Sequence, residues 1–190
     1  MKKQKKRVKK ELFSSRKIII SAVIAIVFVL SFFLDEYILV YTSSIQNQLF
    51  MDVMEVISHF GSILIVLLIM TTALMRKDRK YIPWLWGCVI TAMLAVFLLK
   101  LGVARPRPLD QLFLEFGLIS YSFPSGHTAL AFSVLPVLDR ALPRLKSVWI
   151  IYAVLVGLSR IFIQAHYLSD VIFGAVLGYG VAALLLPRKV

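Results

Sequence analysis

The sequence predicts an all-α membrane protein, a polytopic helix bundle with about six transmembrane helices and a short interfacial helix. Hydrophobic residues make up 59% of the 190 residues and charged residues only 17%, and the mean hydropathy is +0.84. A soluble domain of this size could not bury so much apolar surface in one core, whereas a lipid bilayer accepts it. The apolar residues also fall into separate runs, each near the length that a helix needs to cross a membrane.

The first apolar run, 18–34, follows a lysine-rich N-terminus and has no small-residue cleavage site after it, so we expect an uncleaved first span. The other predicted spans are 56–75, 82–101, 126–142, 147–165 and 169–186. The weakest of these is 126–142, because Pro136 interrupts it and a charged pair ends it, but the charge pattern requires a crossing there. The chain therefore divides into a basic cytoplasmic tail, 1–17, and a single six-span membrane domain, 18–190.

The segment between the first two spans, 41–58, has an amphipathic pattern. Four apolar side chains recur at helical spacing on one face, with polar and acidic side chains around the rest of the cylinder. This pattern is typical of a helix that lies in the membrane interface. An N-terminal extension of the second span explains it equally well, so both alternatives stay open.

The basic residues follow the predicted alternation of the spans. With the N-terminus in the cytoplasm, 18 of the 22 basic residues fall on the inner side, and seven of the ten acidic residues fall outside. This distribution meets the positive-inside rule and predicts cytoplasmic N- and C-termini, with Asp110 outside. The net charge of +12 therefore indicates topology and contact with anionic lipids, and no nucleic-acid partner is expected.

Four basic residues break this bias and lie at the predicted outer face: Lys100, Arg105, Arg107 and Arg160. Beside them the spans bring two histidines, His127 and His166, and a carboxylate, Asp170. Each residue alone is also explained as an interfacial anchor, a packed histidine or a helical hydrogen bond. A cluster of cations with histidines at one membrane depth indicates a bound anion, most simply phosphate.

Three sequence motifs carry these residues. They are KLGVARPRP at 100–108, PSGH at 124–127 and SRIFIQAHYLSD at 159–170. In their order and spacing they resemble the three signatures of the type 2 phosphatidic acid phosphatase family, which also includes the soluble vanadium haloperoxidases. The predicted spans exclude a soluble haloperoxidase. The membrane lipid phosphatase branch, with its phosphatidylglycerophosphatase B-like and undecaprenyl diphosphate phosphatase-like members, is the part of the family that the chain resembles.

The resemblance implies catalytic roles for three residues. His166 is expected to attack phosphorus and carry the phosphoryl group. Asp170, one helical turn away, is expected to fix the tautomer of that histidine and stabilise its developing charge. His127 is expected to protonate the departing oxygen and then to take a proton from the attacking water.

The resemblance also implies a phosphate-binding set: Lys100, Arg107, Ser125, Gly126 and Arg160. Guanidinium and ammonium groups would hold the equatorial oxygens, and donors at a helix N-terminus would add to them. No metal and no cofactor are expected, because the cations take the part that magnesium has elsewhere. Arg105 lies outside the signature, and we expect it to contact the lipid headgroup or to affect specificity. His59 is expected to be a structural interfacial residue.

The function implied is hydrolysis of a lipid phosphate or diphosphate at the non-cytoplasmic face of the cell membrane. Polyprenyl diphosphate, phosphatidylglycerophosphate, phosphatidic acid and a lipid A phosphate are candidate substrates. One alternative is a phosphotransferase that uses the same site to move the phosphoryl group to a second lipid. The other is a non-catalytic lipid-phosphate binding or transport protein, against which the two histidines and the carboxylate argue. Membrane lipids are the expected partners, and the sequence identifies no protein partner.

Overall fold

The computed structural model describes residues 2–45, 47–108 and 121–187, without the side chains of 2–14, 16, 17 and 60. The regular structure in these ranges is helical, which confirms the predicted fold class. Two short 3-10 helices, Arg79–Tyr81 and Pro143–Leu145, lead into α4 and α7. The α-helices are α1 (Lys2–Ser44), α2 (Gln48–Ser58), α3 (Phe60–Lys77), α4 (Ile82–Val103), α5 (Gly126–Ser133), α6 (Leu135–Ala141), α7 (Lys146–Phe162) and α8 (Leu168–Leu185).

Four stretches of helix are long and apolar enough to cross a membrane, within the part of the chain that the structure describes: Ile18–Ser44, Arg79–Val103, Pro143–Phe162 and Leu168–Leu185. The helices α2 and α3 meet at a bend of 45° and make a fifth when they are counted as one broken span. The first span continues beyond its predicted end at Leu34. Its acidic residue Asp35 does not end the helix, because this side chain is buried against the bundle.

The predicted fourth span, 126–142, consists of the two short helices α5 and α6, which adjoin at Val134. Pro136 lies in the first turn of α6, where its missing N–H is not needed for the helix. The side chains of Ala129, Val137 and Leu138 are fully buried. This segment therefore lies inside the bundle, where other helices cover it, and its short apolar run does not have to face lipid along a whole span.

The closest helix packing joins α5 to α8, and glycine makes it possible. A Cβ atom at Gly174 would lie 2.6 Å from the carbonyl oxygen of Ser125, and one at Gly178 would lie 2.0 Å from that of Ala129. Both distances are far shorter than a van der Waals contact. Small residues at such spacing let two helix backbones approach closely in a membrane. The start of α5 is thereby held against the start of α8.

The amphipathic segment before the second span forms the separate helix α2. Asn47 caps it, since the backbone N–H of Phe50 donates to the Asn47 side chain at 3.1 Å. The aromatic ring of Phe50, in the first turn of α2, packs edge-on against the ring of Phe162 in α7, with ring centroids 5.0 Å apart. The segment is thus a distinct helix that packs on the bundle and continues into α3 through a bend.

The ends of α4 and α7 and the starts of α5 and α8 bring the motif residues to one end of the bundle. At the opposite end, Arg140 donates to the carbonyl of Pro187, and Lys146 pairs with Asp139 at 2.6 Å. Asp110, which is predicted on the outer side of the membrane, lies outside the described residues, as do Arg188 and Lys189, which are predicted on the cytoplasmic side.

Candidate active site

A cavity of about 290 Å³ lies at the motif-bearing end of the bundle. Five of the eight predicted site residues line it, and its other walls are apolar side chains of α4 and α5. The lining residues are Met93, Val96, Phe97, Lys100, Arg107, Gly126, His127, Leu130 and His166. Three separate stretches of sequence therefore meet at one cavity, as their common membrane depth predicted.

His166 lies in the short loop between α7 and α8. Its backbone N–H donates to the carbonyl of Arg160 at 3.1 Å, and its side chain is almost completely buried. The Nδ1 atom lies 3.6 Å from Oδ2 of Asp170, slightly beyond hydrogen-bond distance. Burial, together with the positive charges of Arg160, Lys100 and Arg107, holds the pKa of His166 well below its usual value of 6.5. The ring is therefore neutral at pH 7, which is the nucleophilic form.

The PSGH motif begins α5, with Ser125 as the N-cap residue. The backbone N–H of Ser125 donates to the backbone carbonyl of Asp170 at 3.0 Å, which ties the second motif to the third. The Ser125 hydroxyl is buried and lies 3.0 Å from the hydroxyl of Thr128. Gly126 and His127 line the cavity, whereas Ser125 does not. Gly126 has no side chain, so the backbone at the start of α5 lines the cavity, and the predicted serine hydroxyl does not.

The three predicted phosphate-binding cations surround the histidines. Lys100 is buried at the end of α4 and donates to the backbone carbonyl of Tyr121. Burial lowers the pKa of Arg107, although Asp170 partly opposes this shift. Arg160 is buried on α7, and its Nη1 donates to the hydroxyl of Ser58 at 3.1 Å. Its Nε atom is buried and has no acceptor among the described residues, so this donor is available to an anion.

Arg105 has a different environment from the expected one. Its guanidinium pairs with two buried carboxylates, Asp170 at 2.8 Å and Asp35 of α1 at 2.8 Å. Arg105 was expected to contact a lipid headgroup or to affect specificity, whereas in the structure it belongs to an interior ion-pair network. Asp35 was not among the predicted site residues. In the sequence it is only a carboxylate that follows an apolar run, where a span would be expected to end.

The chain is also similar to known proteins. Residues 81–188, more than half of the chain, match the family described as the PAP2 superfamily. The chain belongs to the PAP2 superfamily. It is 36% identical over 152 residues to phosphatidylglycerophosphatase B of Bacillus subtilis. The alignment covers 67% of this chain and 69% of that protein.

Another relative and a solved structure are also similar to this chain. It is 30% identical over 124 residues to the lipid A 1-phosphatase of Rhizobium etli, which covers 58% of this chain and 53% of that protein. The chain thus spans about half the length of this relative. The crystal structure of a transmembrane PAP2-type phosphatidylglycerolphosphate phosphatase from Bacillus subtilis has the same fold, with a TM-score of 0.69 and 24% identity over 89% of this chain and 98% of that chain.

This PAP2 chain is an integral membrane protein, as its several apolar helices and its relatives indicate. His59, which was expected to be structural, caps α3: its Nδ1 accepts a hydrogen bond from the backbone N–H of Gly61 at 3.2 Å. Within the described ranges, no group of three histidine, cysteine or acidic side chains is arranged to hold a metal ion. Metal independence itself remains a prediction about activity.

Proposed function

We propose that this protein is a metal-independent lipid phosphatase that hydrolyses a lipid phosphate or diphosphate through a phosphohistidine on His166. One observation carries the proposal. The same cavity is lined both by cationic and imidazole groups and by the apolar side chains of Met93, Phe97 and Leu130. A lipid phosphate has the same division between an anionic group and an apolar chain, so each half of the ligand meets a matching surface.

In the first chemical step, the neutral imidazole of His166 attacks phosphorus. With Nδ1 directed at Asp170, Nε2 is the nitrogen left to form the bond. The bond between phosphorus and the lipid oxygen breaks, and that oxygen takes a proton from His127. The negative charge of a bound phosphate beside His127 favours the protonated ring that this step needs. Asp170 stabilises the positive charge that develops on His166.

In the second step, a water molecule attacks the phosphohistidine while His127 takes its proton. The bond between phosphorus and nitrogen breaks, inorganic phosphate leaves, and His166 returns to its neutral form. His127 thereby regains the proton that it gave to the lipid. Both steps use the same two histidines in complementary roles.

Positive charge around the phosphoryl group lowers the barrier of both steps. Lys100, Arg107 and Arg160 supply it from three different elements, and the N-terminus of α5 adds backbone donors. Buried cations in a site with apolar walls act more strongly than exposed ones, because little water screens them. This set can neutralise the developing charge without a divalent cation.

The apolar wall also bears on the substrate class. Phe97 and Leu101 are both exposed on α4, on a helix surface that faces the bilayer in a membrane protein. A lipid can therefore present its phosphate to the cavity while its chains remain in the membrane. The names of the relatives support phosphatidylglycerophosphate and the 1-phosphate of lipid A as candidates, and polyprenyl diphosphate and phosphatidic acid share the same chemistry.

We further propose that the site faces the non-cytoplasmic side, with both termini in the cytoplasm. The distribution of the basic residues supports this orientation, since 18 of the 22 fall on the predicted inner side. A site on that side would act on lipids of the outer leaflet.

The direct test is release of inorganic phosphate by purified protein in detergent. The substrates are phosphatidylglycerophosphate, phosphatidic acid, undecaprenyl diphosphate and lipid A, each with and without diacylglycerol as an acceptor. We expect phosphate release from at least one lipid by the unmodified protein, and loss of this activity in His166→Ala.

His59→Asn is the matched histidine control. It removes an imidazole but keeps a side-chain acceptor for the N–H of Gly61, and asparagine is a good helix cap. This variant should retain the activity of the unmodified protein. Binding of the lipids without any phosphate release would contradict a phosphatase, and phosphoryl transfer to diacylglycerol in place of water would establish the transferase alternative.

A further inference from the structure

Arg105 and Arg107 both lie in the loop after α4 but have different surroundings. Arg107 lines the cavity, whereas Arg105, two positions earlier, is absent from the lining within the described residues. The guanidinium of Arg105 lies over the ring of Tyr167 at 3.9 Å and near that of Phe32 at 5.5 Å. The Arg105 guanidinium is therefore in contact with aromatic rings outside the cavity lining.

The Arg105 guanidinium joins two carboxylates that come from opposite ends of the sequence. Its Nη1 donates to Oδ1 of Asp170 at 2.8 Å and to the hydroxyl of Ser169 at 2.7 Å. Its Nη2 donates to Oδ2 of Asp35 at 2.8 Å. Asp35 is only 3% exposed and Asp170 is fully buried, so two negative charges in the interior share one positive partner.

Asp35 also binds the first turn of α8 directly. Its Oδ1 accepts from the backbone N–H of Ser169 at 2.8 Å, and its Oδ2 accepts from the Ser169 hydroxyl at 2.5 Å. A carboxylate at a helix N-terminus satisfies an N–H that the helix itself leaves without a partner. The residue that follows Ser169 is Asp170, so Asp35 fixes the turn from which the catalytic carboxylate projects.

The two oxygens of Asp170 have separate partners. Oδ1 is held by Arg105, and Oδ2 accepts from the backbone N–H of Tyr167 at 3.0 Å and faces Nδ1 of His166 at 3.6 Å. Because Arg105 holds Oδ1 and the Tyr167 N–H holds Oδ2, rotation of the carboxylate is restricted and Oδ2 stays beside the histidine. Without Arg105, a buried carboxylate would lose its charge partner and would turn or take up a proton.

We propose that Arg105 and Asp35 are positioning residues that hold the Asp170 carboxylate, ionised and correctly oriented, against His166. This role rests on the proposed phosphohistidine mechanism. It acts on the chemical step, since a displaced Asp170 no longer stabilises the charge on His166, while the phosphate-binding cations stay in place. A headgroup contact by Arg105 would act on substrate binding instead.

The test compares kcat and KM of Arg105→Gln, Arg105→Lys, Asp35→Asn and Asp170→Asn on the panel lipid that the unmodified protein hydrolyses fastest. Arg105→Gln should lower kcat about 10- to 100-fold, which is the size of loss seen when a residue that orients a functional side chain is removed. It should change KM less than about threefold. Arg105→Lys should recover part of this loss because it keeps the charge. Asp35→Asn keeps an acceptor for the N–H of Ser169 and should lower kcat less than Arg105→Gln.

The decisive comparison is the double variant Arg105→Gln with Asp170→Asn. It should be no slower than Asp170→Asn alone, because both changes act through one carboxylate. Asp139→Asn, which breaks the exposed pair with Lys146, is the control and should leave both constants unchanged. Melting temperatures in detergent identify variants that lose their fold, and Arg105→Lys replaces Arg105→Gln in the cycle if that variant does not fold.

Three results would overturn the positioning role while the unmodified protein remains active. They are a raised KM with unchanged kcat in Arg105→Gln, multiplicative losses in the double variant, and no rescue by lysine. Absence of phosphate release by the unmodified protein on every lipid would instead overturn the proposed function itself, and the positioning role with it.

Discussion

Substitution of Gly178 by alanine should displace the start of α5 and with it the proposed acid–base residue. An added Cβ atom would lie 2.0 Å from the carbonyl oxygen of Ala129 and 2.8 Å from its carbonyl carbon. A carbon and a carbonyl oxygen approach to about 3.3 Å at closest, so the two helices must separate by roughly 1 Å at this point. Both contacts are backbone atoms, which cannot rotate away as a side chain can.

The separation should reach the site because Ala129 is only two residues from His127. A misplacement of about 1 Å in a catalytic group lowers the rate about 100-fold, so we expect a loss of that order in kcat for Gly178→Ala. The extra methyl group should also destabilise the fold by about 1–3 kcal/mol, as in other overpacked cores. The assay is phosphate release from the preferred lipid, together with the melting temperature in the same detergent.

Gly180→Ala is the matched control for this prediction. A Cβ atom at Gly180 meets nothing within 4 Å, and alanine is the better helix former, so activity should be unchanged and stability equal or slightly higher. If Gly178→Ala is as active as Gly180→Ala, the close contact between α5 and α8 does not determine the geometry of the site, and the reasoning is refuted.

Three further predictions concern the chemistry and the topology. Activity should survive excess EDTA, because basic side chains supply the positive charge around the phosphate. Vanadate should inhibit it, because vanadate mimics the pentacoordinate transition state. A complete loss of activity with EDTA that magnesium restores would contradict metal independence. His127→Ala should be severely slowed on a lipid phosphate, because the lipid oxygen needs a proton to leave. It should be much less impaired in the transfer of the phosphoryl group from nitrophenyl phosphate to the enzyme, because nitrophenolate leaves without a proton. Equal losses on the two substrates would exclude His127 as the acid that protonates the leaving oxygen. In a Cys88→Ala background, cysteine at Asp110 should react with an impermeant thiol reagent in intact cells and cysteine at Lys77 should not, and the reverse pattern would invert the proposed topology.

Much of the fold could be predicted because a bilayer imposes simple rules on the sequence. Apolar runs of sufficient length predicted α3, α4, α7 and α8 to within a few residues. The rules failed where a side chain faces protein and not lipid. Asp35 resembled the end of a span, yet the helix continues to Ser44 because the carboxylate is buried against Ser169 and Arg105.

The candidate site was predictable to the extent that it lies in local motifs. The common membrane depth of the motif residues predicted that His127, His166, Lys100 and Arg107 lie close together, and all four line one cavity. The contact between Asp35 and Arg105 joins residues far apart in sequence, so no local pattern could reveal it. The Ser125 hydroxyl is a different case, because a serine that caps a helix can direct its hydroxyl to a ligand or to the next turn, and here it lies 3.0 Å from the hydroxyl of Thr128.

The phosphohistidine on His166 can be tested by trapping it. His127→Ala should form the phosphoenzyme and hydrolyse it slowly, because this variant lacks the base that activates water. The measurement is a rapid quench without acid after addition of labelled nitrophenyl phosphate, followed by identification of the labelled residue by mass spectrometry. The account predicts an acid-labile, base-stable label on His166, and no label when His166 is also replaced by alanine. A label on another residue, or a phosphoenzyme that still forms in His166→Ala, would contradict it.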